Sequence, residues 1–375
     1  MSNLCNTRTD TQILDDSKKK RQRIRNFLKD KGYSGVVIAR RENFSWVTTG
    51  GNAVLINTTE KSLVCLVFSM DHQYLVAHAM DGQRILDEQI PGQGYELVEL
   101  KWFESSPIEK AIQIAGSNGA VDISIPGYEN IFPQILEFHY PMTNLEFDRL
   151  RWLGRKMNKI FLSMGKFLNS GMVEMNIAAY FQFLQSKAGI ASDALIAGGD
   201  QRFLTYRHPM PSNNRVNKYL MLHSAARKWG LHTPITRLYS FGEPEKKFLA
   251  SYKTVANIQA RVFEMIKPGI RYSEIFKLIK DAYDENGYKN EWQKHYQGGP
   301  TGYIIVDAQR LLSGKKICGF TPFEWFSTVP GSKIAELTLL GKDMPELVSN
   351  QKPWPQLTVK LEKHQINMPG VFVIE

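Results

Sequence analysis

The chain has 375 residues, of which 43% are hydrophobic and 22% charged, enough for two domains with separate cores and ordinary for a globular protein. No apolar run reaches the roughly 18–20 residues that a membrane helix needs, so no membrane role is expected. The net charge is +10, but basic residues alternate with acidic ones and no aromatic-interleaved basic motif appears, so no nucleic-acid partner is expected either.

The opening 25 residues lack the apolar centre of a secretory signal. Cys5, Cys65 and Cys318 are odd in number and widely spaced, which implies no disulfide framework. Together these features point to a cytoplasmic protein. The densest basic run, "KKKRQRIR" at Lys18–Arg25, leads into the apolar Ile24, Phe27 and Leu28 of a first helix. It reads as the solvated face at that helix's start. "YSGVVIAR" is a predicted strand, residues 40–51 a loop, and "AVLINTT", "SLVCLVFS" and "QYLVAHA" further strands. A helix over 81–89 and a strand "ELVELKWFE" follow, and the alternation predicts an α/β domain over residues 1–145.

From 146 to 375 the texture differs, predicting an α+β domain. Two long amphipathic helices, "LEFDRLRWLGRKMNKIFLSMGKFL" and "VEMNIAAYFQFLQSKAG", come first, with Gly189 as a C-terminal stop. Tyr219–Ala225 and Pro234–Phe241 alternate apolar and polar residues around a Lys-Trp-Gly turn, a hairpin signal. Residues 245–266 keep helical spacing through Phe248, Tyr252, Val255, Ile258 and Val262; residues 272–286 form the next helix. The remainder reads as strands and turns.

This order of elements, with "GVVIARRENFSWVTTG", "IKPGIRYSEIFKLIKDAYDENGY" and "HYQGGPTGY", resembles the pita-bread proteins: creatinase, aminopeptidase P, prolidase and methionine aminopeptidase. The resemblance covers nearly the whole chain. It implies a creatinase-like N-terminal domain, a pita-bread C-terminal domain and a homodimer. Most such proteins hold two metal ions with two aspartates, a histidine and two glutamates. Carried over one position at a time, those ligands fall on His223, Pro234, Gly299, Phe326 and Ala335. Glu324 lies two residues from Phe326 on the same strand face, and Glu336 is adjacent to Ala335. Proline, glycine, phenylalanine and alanine side chains offer no donor atom, so neither a metal nor another cofactor is expected.

His208, in "TYRHPMPSNN", and His295, in "HYQGGPTG", match other family histidines. The first is the pocket histidine with which creatinase hydrolyses a C–N bond without metal. Imidazole titrates near neutrality, which suits it to acid/base work. His208 and His295 are thus the candidate catalytic pair. Arg237, Arg207, His223, His232, Tyr296 and Glu324 are candidate substrate-binding residues, the arginines because a guanidinium grips a carboxylate bidentately. The expected function is creatinase-like, metal-independent C–N bond hydrolysis of a small amino-acid-derived or N-substituted carboxylate. A non-catalytic pita-bread protein binding a peptide or protein is the alternative, and an Xaa-Pro aminopeptidase-like metallopeptidase the third reading. A further arrangement would gather His208, His223, His232 and His295 around zinc.

Overall fold

The computed structural model describes residues 10–56, 58–342, 345–362 and 364–375; Cys5 lies outside them. Contacts divide the chain into two compact units. One runs through Glu146 and includes Trp229–Leu231; the other comprises Phe147–Lys228 and His232–Glu375.

In the first unit, helix α1 (Asp10–Lys31) precedes β1 (Val36–Arg40), α2 (Arg41–Val47), β2 (Lys61–Phe68), β3 (Gln73–His78), α3 (Gly82–Glu88), β4 (Glu96–Leu100), α4 (Pro107–Ala115), β5 (Ala120–Val121), β6 (Glu129–Asn130) and α5 (Phe132–Phe138). The sheet order is β4-β3-β2-β1-β5-β6. Val37, Val67, Val76 and Val121 from its strands pack against Ala111 and Ala115 of α4.

Three expectations are corrected here. The predicted loop over 40–51 contains α2, whose residues from Glu42 to Val47 are all buried, so no exposed polar face announces a helical period. The buried Asp122 carboxylate fixes it, accepting from Ala39 N at 2.7 Å and Asn43 Nδ2 at 2.8 Å. "AVLINTT" forms no strand among the described residues, and Leu55 and Ile56 stand exposed. The basic run lies in the middle of α1 rather than at its start. Lys20 is buried there between Asp16 (2.9 Å) and Glu146 (2.7 Å).

In chain order, the second unit takes α6 (Asn144–Phe167, its first turn still in the first unit), β7 (Met172–Val173), α7 (Glu174–Lys187), β8 (Ala191–Gly199), α8 (Asp200–Thr205), β9 (Arg215–Val216), β10 (Tyr219–Lys228), β11 (Leu231–Phe241), α9 (Lys246–Met265), α10 (Tyr272–Glu285), β12 (Gly298–Pro300), β13 (Thr321–Val329), β14 (Ser332–Leu340), β15 (Pro345–Leu347), β16 (Gln356–Lys360), β17 (Gln365–Pro369) and β18 (Phe372–Ile374). Two four-stranded sheets carry the architecture, β18-β11-β10-β8 and β12-β13-β14-β15. Trp229 and Gly230 make the hairpin turn between β10 and β11, both with positive φ.

Strand alternation decides what each sheet face meets. Leu220 and Leu222 of β10 and Ile235 and Tyr239 of β11 pack with Phe161 of α6 and Phe181 of α7. Phe323 and Trp325 of β13 and Ile334 of β14 pack with Val255 and Ile258 of α9 and Ile275 of α10. The intervening residues therefore point to the faces those helices leave free. These are His223 on β10, Pro234 and Thr236 on β11, Glu324, Phe326 and Thr328 on β13, and Lys333, Ala335 and Leu337 on β14.

Candidate functional site

The two inner faces meet where the His223 and Phe326 rings lie 6.4 Å apart. Phe326 is the register partner of Ala335, and Glu324 pairs with both Gly299 and Leu337. The topology thus gathers positions at which the resemblance placed metal ligands, and supplies a benzyl group, a methyl group and a glycine there. Such a donor set does not fit a dinuclear metal centre. Among the described residues, no group of three or more His, Cys, Asp or Glu side chains is arranged to hold a metal ion.

A different cluster stands at this place. His208 Nε2 lies 3.1 Å from His295 Nε2, and Lys333 Nζ lies 3.2 Å from the same atom. Local structure sets this geometry. His208 follows α8, where the neighbouring Arg207 forms an ion pair with Glu291 and donates to the Thr328 hydroxyl at 3.2 Å. Glu291 opens the 3₁₀ turn that ends at His295, so one arginine draws both histidine segments onto β13. Gln297 completes the clamp: its side-chain amide donates to His295 O at 2.7 Å, and its backbone carbonyl accepts from Phe326 N at 3.0 Å. Gly298 and Gly299 have φ of +123° and +149°, and a Cβ on Gly298 would sit 2.2 Å from Glu324 O. The "GGP" run is there because only glycine allows that approach.

His295 Nδ1 meets the Tyr296 carbonyl, which fixes the proton on Nδ1 and leaves Nε2 as an acceptor. That lone pair faces two donors, the Lys333 amine and the His208 N–H. Burial and the Lys333 charge bring His208 down to about 4 and His295 to about 3. The buried His223, affected also by its neighbouring histidines, falls well below 6.5. All three are neutral at neutral pH. Lys333, only 2% exposed, is lowered from 10.5 to about 7 by burial and by Arg207. It is the member of the cluster whose proton comes and goes near neutrality. The cluster opens outward through His208 and the half-exposed Tyr296, whose ring packs against Phe326 at 5.2 Å.

The other predicted residues divide. Arg207 positions the site with its own charge engaged by Glu291. His223 hydrogen-bonds Thr236 at 2.9 Å across the hairpin and borders the cluster. His232 is held apart from it by Asp193 (3.1 Å) and the Gly302 carbonyl (2.9 Å). Burial alone would raise Asp193, but His232 and Arg227 overcome it and hold that carboxylate low. The four histidines therefore do not converge on one ion. Arg237 is corrected most clearly. Its parity on β11 is opposite to that of Pro234 and Thr236, so it lies over the Phe161 and Trp354 rings and pairs with Glu336. It has a carboxylate of its own and does not face the cluster. Glu324 is fully buried, and among the described residues neither of its oxygens makes a hydrogen bond of good geometry; burial and Glu336 push its carboxyl well above the ordinary range, while the nearby Thr233 hydroxyl favours ionisation. Lys333 was missed. Its signal was parity, because it stands two residues before Ala335 on the same strand face.

The profile of metallopeptidase family M24 matches residues 148–317. The chain is 23% identical over 216 residues to the probable dipeptidase PepE of Mycobacterium tuberculosis, a match covering 55% of this chain and 57% of that protein. It is 22% identical over 244 residues to an uncharacterised peptidase of Staphylococcus aureus, covering 62% and 66%. The chain thus spans a little over half the length of the first of these curated relatives. Among solved structures, the prolidase of Pyrococcus horikoshii superposes with a TM-score of 0.75 at 16% identity, covering 89% of this chain and 99% of that one. The dipeptidase PepE of Mycobacterium ulcerans gives 0.74 at 16%, covering 98% and 99%.

Proposed function

The chain is a pita-bread protein by fold, and from that premise we propose that it breaks a C–N bond in a short peptide or N-substituted amino acid without the two-metal centre. The contact that carries this reading is His208–His295–Lys333, with both donors aimed at one imidazole nitrogen. His208, the exposed member, takes a proton from the attacking water and returns it to the leaving nitrogen. His295, fixed in one tautomer by the Tyr296 carbonyl, positions the reacting group. The Lys333 ammonium, buried beside it, stabilises negative charge developing on the substrate oxygen. The substrate class is supported by the relatives named as dipeptidases and prolidases. A homodimer in the cytosol belongs to the same proposal.

The matching family profile, metallopeptidase M24, favours a second reading, a metallopeptidase, and the donor set opposes it. The test is to incubate the protein with a panel of dipeptides, including Xaa-Pro, and N-alkylated amino acids, with and without chelator, and to follow the amine released. Turnover that persists in chelator and falls by roughly 10²–10⁴-fold in His208→Ala supports the proposal. Turnover only after manganese or cobalt is added replaces it with the metallopeptidase. No turnover under either condition favours the non-catalytic binding protein.

A further inference from the structure

Lys333 has a second property that hydrolysis does not use. Its amine lies in the interior with no carboxylate within ion-pair distance among the described residues. Its hydrogen-bond partner is a neutral imidazole, and the Phe326 ring lies 5.6 Å from Nζ. A buried lysine held only for stability would be matched with a carboxylate, as Lys20 is with Asp16 and Glu146. An amine desolvated against an aromatic ring and close to other positive charge is instead the setting in which lysine becomes a nucleophile. Arg207 supplies that charge, and the exposed His208 and Tyr296 contact the same His295 and Phe326 rings that the amine meets.

We propose that Lys333 is a reactive amine that forms an imine with a small carbonyl compound, an aldehyde or 2-oxo acid, entering beside His208 and Tyr296. The neutral Nζ attacks the carbonyl carbon, and one of its protons passes by way of His295 Nε2 to the carbonyl oxygen to give a carbinolamine. The second Nζ proton follows the same route to the hydroxyl, which leaves as water while the C=N bond forms. Amine plus carbonyl gives imine plus water, with no change of oxidation state. The proton acceptor is already in place, 3.2 Å from Nζ. This inference does not depend on the hydrolytic reading, which is judged by turnover rather than by adduct formation.

The test treats the full chain with glyoxylate and sodium cyanoborohydride near neutral pH and maps the reduced adduct by peptide mass spectrometry. The exposed Lys246 and Lys247 serve as internal references. Lys333 is expected to be modified at least about tenfold faster than either, because its burial against Phe326 and beside the His295 acceptor favours the neutral amine. The adduct should vanish from that peptide in Lys333→Met and form more slowly in His295→Gln. Pyruvate and acetaldehyde arms show which carbonyl class reacts faster. Modification of Lys333 no faster than of Lys246 overturns the proposal. That comparison is made within the unmodified sequence, so it stands even if a variant folds poorly.

Discussion

Arg237→Ala is expected to destabilise the C-terminal unit by roughly 3–5 kcal/mol, because it strands a buried charge. Both side chains of the Arg237–Glu336 pair are wholly inaccessible. The guanidinium also donates to Ser349 O at 2.6 Å and Thr236 O at 2.8 Å, and lies over the Phe161 and Trp354 rings. Truncation removes those bonds, leaves a cavity over the two rings and deprives Glu336 of its cation. Burial already raises the Glu336 carboxyl, with Arg237 the main opposing influence, so the variant's carboxyl rises further. A folded value raised above the unfolded one gives stability that is lost as pH climbs through it. The variant's deficit should therefore grow as pH rises beyond the parent's own raised carboxyl value. The double change Arg237→Met with Glu336→Leu should recover much of the loss. Urea titration measured at several pH values checks both points. A deficit under about 1 kcal/mol would mean the pair is not the buried anchor described.

The second large effect concerns Lys333 and has the opposite sign. Lys333→Met is expected to stabilise the protein at neutral and lower pH. The folded value, about 7, lies below the unfolded 10.5. Between them the unfolded chain binds more protons, so stability rises with pH across that window. Below about 7 the full penalty of burying the ammonium applies; above 10.5 it is gone. The size is of the order of 3–5 kcal/mol between the two limits. The charged or titratable groups that act on or contact Lys333 are Arg207, His208, His223 and His295. The histidines titrate below the window, so the difference between parent and variant isolates the lysine. The two unfolding curves should converge near pH 10 and separate below 7. Parallel curves across the range would show that the ammonium is not desolvated.

Much of the architecture was legible because it is written in period. The helices α6, α7, α9 and α10 each bury one apolar stripe, and the β10–β11 hairpin carries Lys-Trp-Gly at its turn. What escaped lacks a period. Six of the seven residues of α2, Glu42 to Val47, are buried, polar ones included, so no exposed polar face marks a helix. In "AVLINTT" an apolar run suggests a strand although Leu55 and Ile56 face solvent. The site was legible to a similar degree. His208 and His295 meet as a pair, yet they were found through resemblance, and their clamp by Arg207, Glu291 and Gln297 needs tertiary contacts. Arg237 was misread although the rule that places it was available: one residue beyond Thr236, a strand side chain changes face. The same rule, applied from Ala335 back to Lys333, would have found the amine.

The account turns on that amine filling the role of a cation where family resemblance placed two metal ions. Titrating the metal-free protein with manganese calorimetrically, then measuring retained metal by mass spectrometry, tests this most directly. The account predicts no stoichiometric uptake by the parent chain. Two manganese ions retained per chain, with Lys333 displaced from His295, would contradict it.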